Sequence, residues 1–358
     1  MKRLQKLSKL VKSLGLDAML ITSGVNLRYA TGCSRIEGLA VIHANGTGVC
    51  FTDSRYIESV KQAVVPLGYR AVEPEGSYPT ADTIRAYAEE QGIRSLGIED
   101  ERMSLAAFRE YEKRLRCELV PVGSAIERVR RVKEDWEIEQ ILSAQRIAEE
   151  ALRRLLPEIR PGAFEDELAA RLCWHMAMLG SESGAMGMIL ISGKKTSMPH
   201  GEASHTAIRE GDFVTIDFGA MTNGYFSDMT RTFGIGRVSG RMREVYGVVL
   251  DAQLAGIDAF EAGKTGIEVD RAARSVIERA GYGQYFGHGL GHSLGLEIHE
   301  NPRANRTCAE VYRERDITTI EPGIYIPGEF GVRIEDMVWL SPKGKEVLTR
   351  FPKELTIL

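Results

Sequence analysis

The sequence lacks three features that would each have indicated a distinct class of protein. It has no run of 18 or more apolar residues, so no transmembrane helix is expected. Its five cysteines are scattered without a CxxC pair, which argues against a disulfide framework or a zinc-thiolate site. It has no block of like charges and a net charge of only −4, which argues against a nucleic-acid partner. We therefore expect a cytoplasmic protein with reduced thiols, in contact with neither membrane nor nucleic acid.

The remaining composition is that of a globular protein with an excess of glycine. The chain has 358 residues, of which 43% are hydrophobic and 27% charged, and this excludes disorder, collagen and coiled coil. Residues 180–331 hold 24 of the 37 glycines and five of the seven histidines. This is the region in which we look for chemistry.

The chain length predicts two domains, or one large one. Residues 1 to about 125 alternate short apolar runs with amphipathic segments, which predicts an α/β domain. The turn signal Asn45-Gly46 implies an antiparallel hairpin, and hence a mixed sheet. A charged stretch near 126–136 then starts a long helix that ends before Pro157, so we place the domains at 1–127 and 128–358. The predicted helices are Leu4–Leu14, Tyr56–Val65, Ala81–Gln91 and Ser104–Leu115, and the predicted strands are Ala18–Thr22, Leu39–His43, Val49–Thr52, Ser95–Ile98 and Leu119–Val122.

Two aspartates lie on one predicted hairpin in the segment GDFVTIDFGAMTNGYFSDMTRTF. The dipeptide Asn223-Gly224 favours a two-residue turn, which makes Asp228 face Gly219 and puts Asp217 two residues along on the same face. Such diagonal neighbours lie roughly 7–8 Å apart. Two carboxylates at this distance can share one or two metal ions, although two exposed acids on a hairpin are the plainer alternative.

Two further motifs follow. The strip GHGLGHSLGLEIHENP carries His288, His292 and His299 among four glycines, and it matches neither HExxH nor GxGxxG. The segment TTIEPGIYIPGEFGVRIEDMV carries Glu321 and Glu335 in apolar runs, with a loop 327–331 between them. Their even separation requires an odd loop or a bulge to bring them to one face, and we predict this. An Arg333–Glu335 surface ladder is the alternative.

Four acids and a histidine form an oxygen-rich set that would repel itself without cations. Two divalent ions would neutralise the set, and oxygen-dominated ligation suits Mn²⁺ best, while Co²⁺, Zn²⁺ or Fe²⁺ also fit when imidazole takes part. A two-metal site of this kind performs hydrolysis.

The chain resembles the pita-bread metallopeptidases through four ordered motifs, PHG at 199–201, DFG…SDMTRT at 217–232, GHGLGHSLGLEIHE at 287–300, and IEPGIYIPG with VRIED at 320–336. The similarity covers nearly the whole chain and points to the branch of Xaa-Pro aminopeptidase and Xaa-Pro dipeptidase (prolidase). It implies an α+β pita-bread catalytic domain, preceded by a creatinase-like N-terminal α/β domain. It also implies peptide substrates with proline second, and a homodimer.

The resemblance also implies residue roles. Asp217 should bind the first metal, Asp228 and Glu335 should bridge both, and His292 and Glu321 should hold the second. Glu321 should also act as proton shuttle. The residues expected to contact the substrate or to lie beside the metals are His200, His288, His299, Arg303, Tyr325 and Arg333, with His200, His299, Glu321 and Arg333 as the catalytic ones.

Three alternatives remain at this point. They are a creatinase-like hydrolase that works without metal, a methionyl aminopeptidase, and a non-catalytic binding protein on the same fold. The first and third should lack metal ligands, and the second has no need of the N-terminal domain. One departure from the family pattern is Arg315-Asp316, where Gly-Met is usual, and it leaves the geometry at the start of the glutamate strand open.

Overall fold

The computed structural model describes residues 3–33, 36–75, 78–182 and 188–358. The chain divides into two compact units, Met1–Arg130 and Arg131–Leu358. Each unit has its own buried apolar clusters, so each is described by itself.

The first unit is a six-stranded mixed sheet with helices. The strands run in the order β4-β3-β2-β1-β5-β6, with antiparallel pairs β1–β2 and β2–β3 and parallel pairs β1–β5, β5–β6 and β3–β4. Its helices are α1 (Arg3–Ser13), α2 (Gly24–Thr31), α3 (Ile57–Val64), α4 (Ala81–Gln91), α5 (Leu105–Arg114) and α6 (Ala125–Arg131). Its strands are β1 (Ala18–Ile21), β2 (Gly38–His43), β3 (Gly48–Thr52), β4 (Tyr69–Val72), β5 (Ser95–Ile98) and β6 (Glu118–Pro121).

The mixed sheet confirms the prediction made from Asn45-Gly46. β2 and β3 pair antiparallel around this turn, the His43 amide donates to the Thr47 carbonyl at 2.9 Å, and Gly46 has φ +96°. Helix α2 and strand β4 were not predicted. The proposed domain boundary after residue 127 lies inside α6, close to the division between the units, and stays a proposal.

In its described residues, the second unit combines four α-helices with short, mostly antiparallel strands. Its helices are α7 (Asp135–Leu155), α8 (Glu165–Met178), α9 (Gly240–Ala259) and α10 (Gly266–Arg279). Its strands are β7 (Ile189–Ser192), β8 (Phe213–Phe218), β9 (Met221–Thr222), β10 (Tyr225–Phe226), β11 (Met229–Gly234), β12 (Gly291–Ser293), β13 (Glu300–Ala304), β14 (Ile317–Ile320), β15 (Gly323–Ile326), β16 (Phe330–Arg333), β17 (Asp336–Ser341) and β18 (Gly344–Val347).

Two apolar cores divide this unit into halves. In one half, α7 and α8 pack on the sheet β11-β8-β7 through residues such as Leu152, Leu172 and Ile216. In the other half, α9 and α10 pack on strands β14 to β17 through residues such as Val249 and Ile320. Each half thus places a pair of helices behind strands, and the strands of both halves carry the acidic residues discussed below.

The long helix predicted up to Pro157 is confirmed as α7, which ends at Leu155. None of the helices among the described residues combines the length and apolar character that crossing a membrane requires. All five cysteines lie in the described part of the chain, and none of them forms a disulfide there.

Candidate metal centre

The first pair of acids lies on the hairpin with the predicted register. Tyr225 pairs with Thr222 at the turn, and Thr230 pairs with Asp217 farther along. Between these points the ladder is interrupted, so the hairpin consists of β9–β10 and β8–β11 rather than two continuous strands. Gly219 lies at this interruption, where a Cβ would come within 1.7 Å of the Ser227 carbonyl oxygen. The register puts Asp217 and Asp228 on one face, as predicted.

The second pair of acids lies on the hairpin formed by β14–β17 and β15–β16. Ile320 pairs with Asp336, and Gly323 pairs with Arg333, so Glu321 stands opposite Glu335 where the ladder is interrupted. The predicted odd loop is confirmed. It has three residues, with Gly328 at φ +75°, and not the five predicted. Gly331 belongs to β16, where a Cβ would come within 2.1 Å of the Thr196 carbonyl oxygen.

His292 brings an imidazole to the four acids. Its Nε2 lies 3.3 Å from Glu321 Oε1 and 3.7 Å from Asp228 Oδ2. Its Nδ1 lies 3.1 Å from the Ser293 carbonyl oxygen. Since a carbonyl only accepts, Nδ1 carries the proton and Nε2 turns a lone pair toward the carboxylates. One ligand atom each of Asp228, His292 and Glu335 lies within 4.8 Å of the others, as a shared metal requires.

The electrostatics of this cluster call for cations. Burial, followed by the charges of neighbouring acids, raises the pKa of Asp228 and of Glu335 well above the ordinary values. Burial also raises the pKa of Glu321 to about 8, and lowers the pKa of His292 to about 3. Without a divalent ion, Asp228, Glu321 and Glu335 therefore favour the protonated form and the His292 imidazole is neutral. Divalent ions fit this donor set, because they would replace the protons and meet the free lone pair of Nε2.

Arg333 is the cation built into the site. Its guanidinium lies 2.6 Å from Asp217 Oδ2, 2.7 Å from the Tyr325 hydroxyl and 3.3 Å from the Pro199 carbonyl oxygen. Arg333 is 3% exposed and Glu335 is 1% exposed, so the alternative of a surface ladder is wrong. Arg333 therefore forms an ion pair with Asp217 only, and the other three acids of the cluster need further cations to balance their charge.

Tyr325 and His288 form a chain of hydrogen bonds with Arg333. Arginine can only donate, so the tyrosine hydroxyl accepts from Arg333 and gives its own proton to His288 Nε2 at 2.9 Å. Nδ1 of His288 donates to the Gly289 carbonyl at 2.8 Å. Burial, together with the charge of Arg333, lowers the pKa of His288 to about 4. His288 is therefore neutral, and its nitrogens are engaged away from the acids.

The other predicted substrate residues lie around His292. The ring centroid of His299 is 4.3 Å from that of His292, edge to face. Arg303 pairs with His292 across β12 and β13. Burial, followed by the charge of Arg303, lowers the pKa of His299, and the charge of His200 lowers it further. The exposed His200 is thus near enough to act on the pKa of both His288 and His299.

Sequence reasoning missed two threonines that hold the acids in place. The Thr230 hydroxyl lies 2.7 Å from Glu335 Oε2 and accepts from Arg333 Nε at 3.1 Å. The Thr319 hydroxyl lies 3.3 Å from Glu321 Oε1 and accepts from the His292 amide at 3.1 Å. Each threonine stands two positions from a candidate ligand along the chain. A search for polar residues at that spacing would have found both.

The departure Arg315-Asp316 leaves the glutamate strand intact. Asp316 is fully buried and receives hydrogen bonds from Arg131, with Nε to Oδ1 at 2.9 Å, and from the Arg313 amide at 2.8 Å. Arg315 has φ +74° and donates to the Lys133 carbonyl at 3.0 Å. β14 follows directly and pairs with β17 in regular register. The unusual dipeptide is therefore an anchor ahead of the strand.

The arrangement matches known families along its length. Residues 139–342 match the model of metallopeptidase family M24, and residues 3–132 match the Creatinase/Prolidase N-terminal domain. The chain belongs to metallopeptidase family M24. Its fold is accordingly a creatinase-type N-terminal domain followed along the chain by a pita-bread catalytic domain, and membership implies divalent metal ions.

Relatives of M24 type match over nearly full length. An uncharacterized peptidase, YqhT, of Bacillus subtilis is 42% identical, with 99% of this chain and 100% of the relative covered. The structure of an Xaa-Pro dipeptidase from Bacillus anthracis superposes with TM-score 0.95 at 38% identity, covering 100% of this chain and 99% of the other. The structure of an X-Pro aminopeptidase from Thermotoga maritima superposes with TM-score 0.91 at 34% identity, and the match covers 98% of this chain and 100% of the other.

Proposed function

We propose that this M24 metallopeptidase hydrolyses the peptide bond between an N-terminal residue and a penultimate proline. The observation that carries the proposal is the convergence of opposed acid pairs from two hairpins on the neutral Nε2 of His292. The names of the solved relatives, one a dipeptidase and one an aminopeptidase, support proline-containing substrates of either length. The substrates are small peptides, dipeptides or longer.

Five residues would hold two divalent ions. Asp217 would bind the first, Asp228 and Glu335 would bridge, and His292 with Glu321 would bind the second. Bound ions of this kind lower the pKa of coordinated water and polarise the scissile carbonyl. Mn²⁺ suits the four carboxylates best, and Co²⁺, Zn²⁺ and Fe²⁺ are the alternatives.

The chain's own residues supply the remaining chemistry. Glu321 is the candidate proton shuttle, because its carboxylate lies among the candidate ligands, 3.3 Å from His292 Nε2. The leaving nitrogen belongs to proline, carries no N–H and must be protonated as the bond breaks. His299 lies against His292, and His200 is near enough to act on the pKa of His299, so both would bind substrate and stabilise negative charge on the carbonyl oxygen. Arg333 orients Asp217 and Tyr325, and Arg303 offers a positive charge to a substrate carboxylate.

The alternative functions agree less well with the ligand set and the domain content of this chain. A creatinase-like hydrolase without metal, or a binding protein without activity, should have lost ligands, whereas all five are present in this chain. A methionyl aminopeptidase does not need the N-terminal domain that residues 3–132 match. The homodimer and the cytoplasmic location stay predictions, and sedimentation velocity tests the former.

The deciding experiment compares Asp217→Ala with Asp251→Ala, a control that removes an exposed acid from α9. Both chains, stripped of metal and then supplied with Mn²⁺, are offered Xaa-Pro, Xaa-Pro-Xaa, Xaa-Ala and creatine. We expect the control to cleave the proline peptides, and Asp217→Ala to be slower by about a thousandfold, since metal ions contribute several kcal/mol to such reactions. Full activity of Asp217→Ala, activity without metal, or cleavage of creatine alone would contradict the proposal.

A further inference from the structure

The segment that carries His200 is held by an ion pair outside the metal centre, between the buried Glu165 and the partly exposed Lys195. Glu165 is the first residue of α8 and is fully buried. Its Oε1 accepts from the amide and the hydroxyl of Ser192, both at 2.7 Å. Its Oε2 accepts from the Ser204 amide at 3.2 Å and from the ammonium group of Lys195. One carboxylate therefore holds both ends of the segment 193–203.

Lys195 continues this connection inside the segment. Its ammonium group also donates to the Glu202 carbonyl at 3.0 Å and to the Ser204 hydroxyl at 2.8 Å. All three ammonium protons thus have acceptors. Lys195, which precedes His200, is thereby linked to Glu202 and Ser204, which follow it. The Lys195 side chain is 23% exposed to solvent, whereas the Glu165 side chain is 0% exposed.

The middle of the segment is fixed to the metal centre at two points. The Gly331 amide donates to the Thr196 hydroxyl at 2.8 Å, which joins the segment to β16. Arg333, at the end of β16, donates to the carbonyl of Pro199, the residue before His200. The loop is therefore held to β16 by its middle and to α8 by its ends.

An ion pair in which only the carboxylate is buried adds little to the free energy of unfolding, because desolvation of that charge offsets the attraction. The ion pair matters instead for geometry. The hydrogen bonds from Ser192, Ser204 and Lys195 fix the orientation of the Glu165 carboxylate. We propose that Glu165 and Lys195 are positioning residues that hold His200 at the metal centre. This inference rests on the proposed function, in which His200 contacts the substrate.

The test uses Glu165→Gln, with Glu167→Gln as the matched control, because Glu167 is an exposed acid in the same first turn of α8. Lys195→Met is the second variant, which leaves Glu165 its hydrogen bonds from Ser192 and Ser204. Each substitution is made in the full chain and again in a His200→Ala background. The measurements are kcat and KM for an Xaa-Pro peptide, Mn²⁺ affinity by calorimetry, and the ¹³Cε1 histidine NMR spectrum of the metal-free full-length chain.

We expect Glu165→Gln and Lys195→Met to lower kcat about ten- to hundredfold, as small misplacements of a catalytic group do, with Mn²⁺ affinity unchanged. In the His200→Ala background the same substitutions should have little effect. The His200 resonance should shift or broaden in both variants, while that of His43 stays as internal reference. Glu167→Gln should match the parent chain.

Equal losses in both backgrounds, or an unchanged His200 resonance, would overturn the positioning role. A loss of Mn²⁺ affinity that parallels the loss of kcat would overturn it too, since the pair would then support the metal ligands instead. Full activity of His200→Ala would refute the proposed part of His200 in the reaction. The NMR result would still decide whether Glu165 positions the ring, so the two failures are distinguishable.

Discussion

Thr230 shows how a single hydroxyl proton can orient two charged groups. The arginine Nε can only donate, so the hydroxyl accepts from Arg333 and must direct its own proton to Glu335 Oε2. Arg333 in turn holds Asp217, which lies opposite Thr230 in the hairpin. One threonine therefore connects two candidate metal ligands that belong to different hairpins.

Replacing this hydroxyl tests the connection. Thr230→Val keeps the shape of the side chain and removes both hydrogen bonds, so we expect Mn²⁺ affinity and kcat to fall about ten- to hundredfold, as for other residues that orient ligands. Thr230→Ser keeps the hydroxyl and should stay near the parent chain. Calorimetric titration with Mn²⁺ and initial rates are the measurements. Equal Mn²⁺ affinity in the valine variant and the parent would refute the orienting role.

Among single residues, the candidate metal ligands could be predicted from the sequence better than the residues that hold charged side chains in place. Strand parity alone placed Asp217 with Asp228, because the Asn223-Gly224 turn fixes the register. His292 could be preferred to His288 only through family resemblance, since both stand in the same glycine-rich strip. The partner of Asp316 could not be predicted, because Arg131 lies 185 residues away along the chain.

Both hairpins are interrupted at or beside the acids, since Asp228, Glu321 and Glu335 lie between strands and Asp217 lies inside β8, two residues before Gly219. These interruptions are a property of strands rather than of single residues. The run TTIEPGIYI looks like one strand, but Pro322 has no N–H to continue the ladder, and the structure separates β14 from β15 at Glu321-Pro322. Gly219 marks the other interruption, where backbone approaches backbone. The predicted strands were therefore right in register and too long in extent.

The close approach at Gly219 leads to a prediction. In Gly219→Ala the new Cβ would lie 1.7 Å from the Ser227 carbonyl oxygen, so the hairpin must shift between Asp217 and Asp228. We expect the free energy of unfolding to fall by about 3 kcal/mol, at the upper end for overpacking, together with weaker Mn²⁺ binding. Urea unfolding and calorimetry measure the two effects.

Gly247→Ala is the matched control, because it lies inside α9 with no described atom within 4 Å of the new Cβ. It should raise the free energy of unfolding by about 0.5–1 kcal/mol through lower chain entropy in the unfolded state. A Gly219→Ala chain as stable as this control would show that the hairpin tolerates the displacement.

Local signals in the N-terminal unit explain which elements could be predicted. α4 and β5 have the predicted bounds, because Gly92 ends the helix and a short apolar run follows. α2 was missed since its eight residues, GVNLRYAT, have a weak apolar pattern, although Ser23 caps it through the Asn26 amide. β4 was missed because the four residues Tyr69–Val72 are too short a signal without their neighbour β3.

For the whole molecule, the charge of −4 conceals an uneven distribution, with four acids gathered at one place. In the metal-free protein three of them, Asp228, Glu321 and Glu335, have a higher pKa than in the unfolded chain and so bind protons more tightly. The pKa of Glu321 rises from 4.5 to about 8, and those of Asp228 and Glu335 rise as well. A raised pKa of this kind gives stability at low pH that is lost as pH rises through the folded-state value.

We therefore expect the Tm of the metal-free protein to fall between pH 6.5 and about 8. Below pH 6.5 the buried His288 and His292, with pKa values lowered to about 4 and 3, act in the opposite direction, so the upper window isolates the acids. Saturating Mn²⁺ should abolish or reverse this slope, because metal binding replaces the protons. Glu321→Gln should flatten the slope without metal. Calorimetric scans across the window are the measurement, and a Tm that rises with pH in chelator would contradict the expected charge states.

The positions of the five candidate ligands along the chain also have a consequence for biosynthesis. They run from Asp217 to Glu335, and each hairpin contributes acids from both of its strands. A ribosome must therefore have polymerised the chain as far as residue 335 before the last of these ligands exists. The complete ligand set thus forms only after the whole N-terminal unit has been synthesised, and translation products that stop before residue 335 lack Glu335.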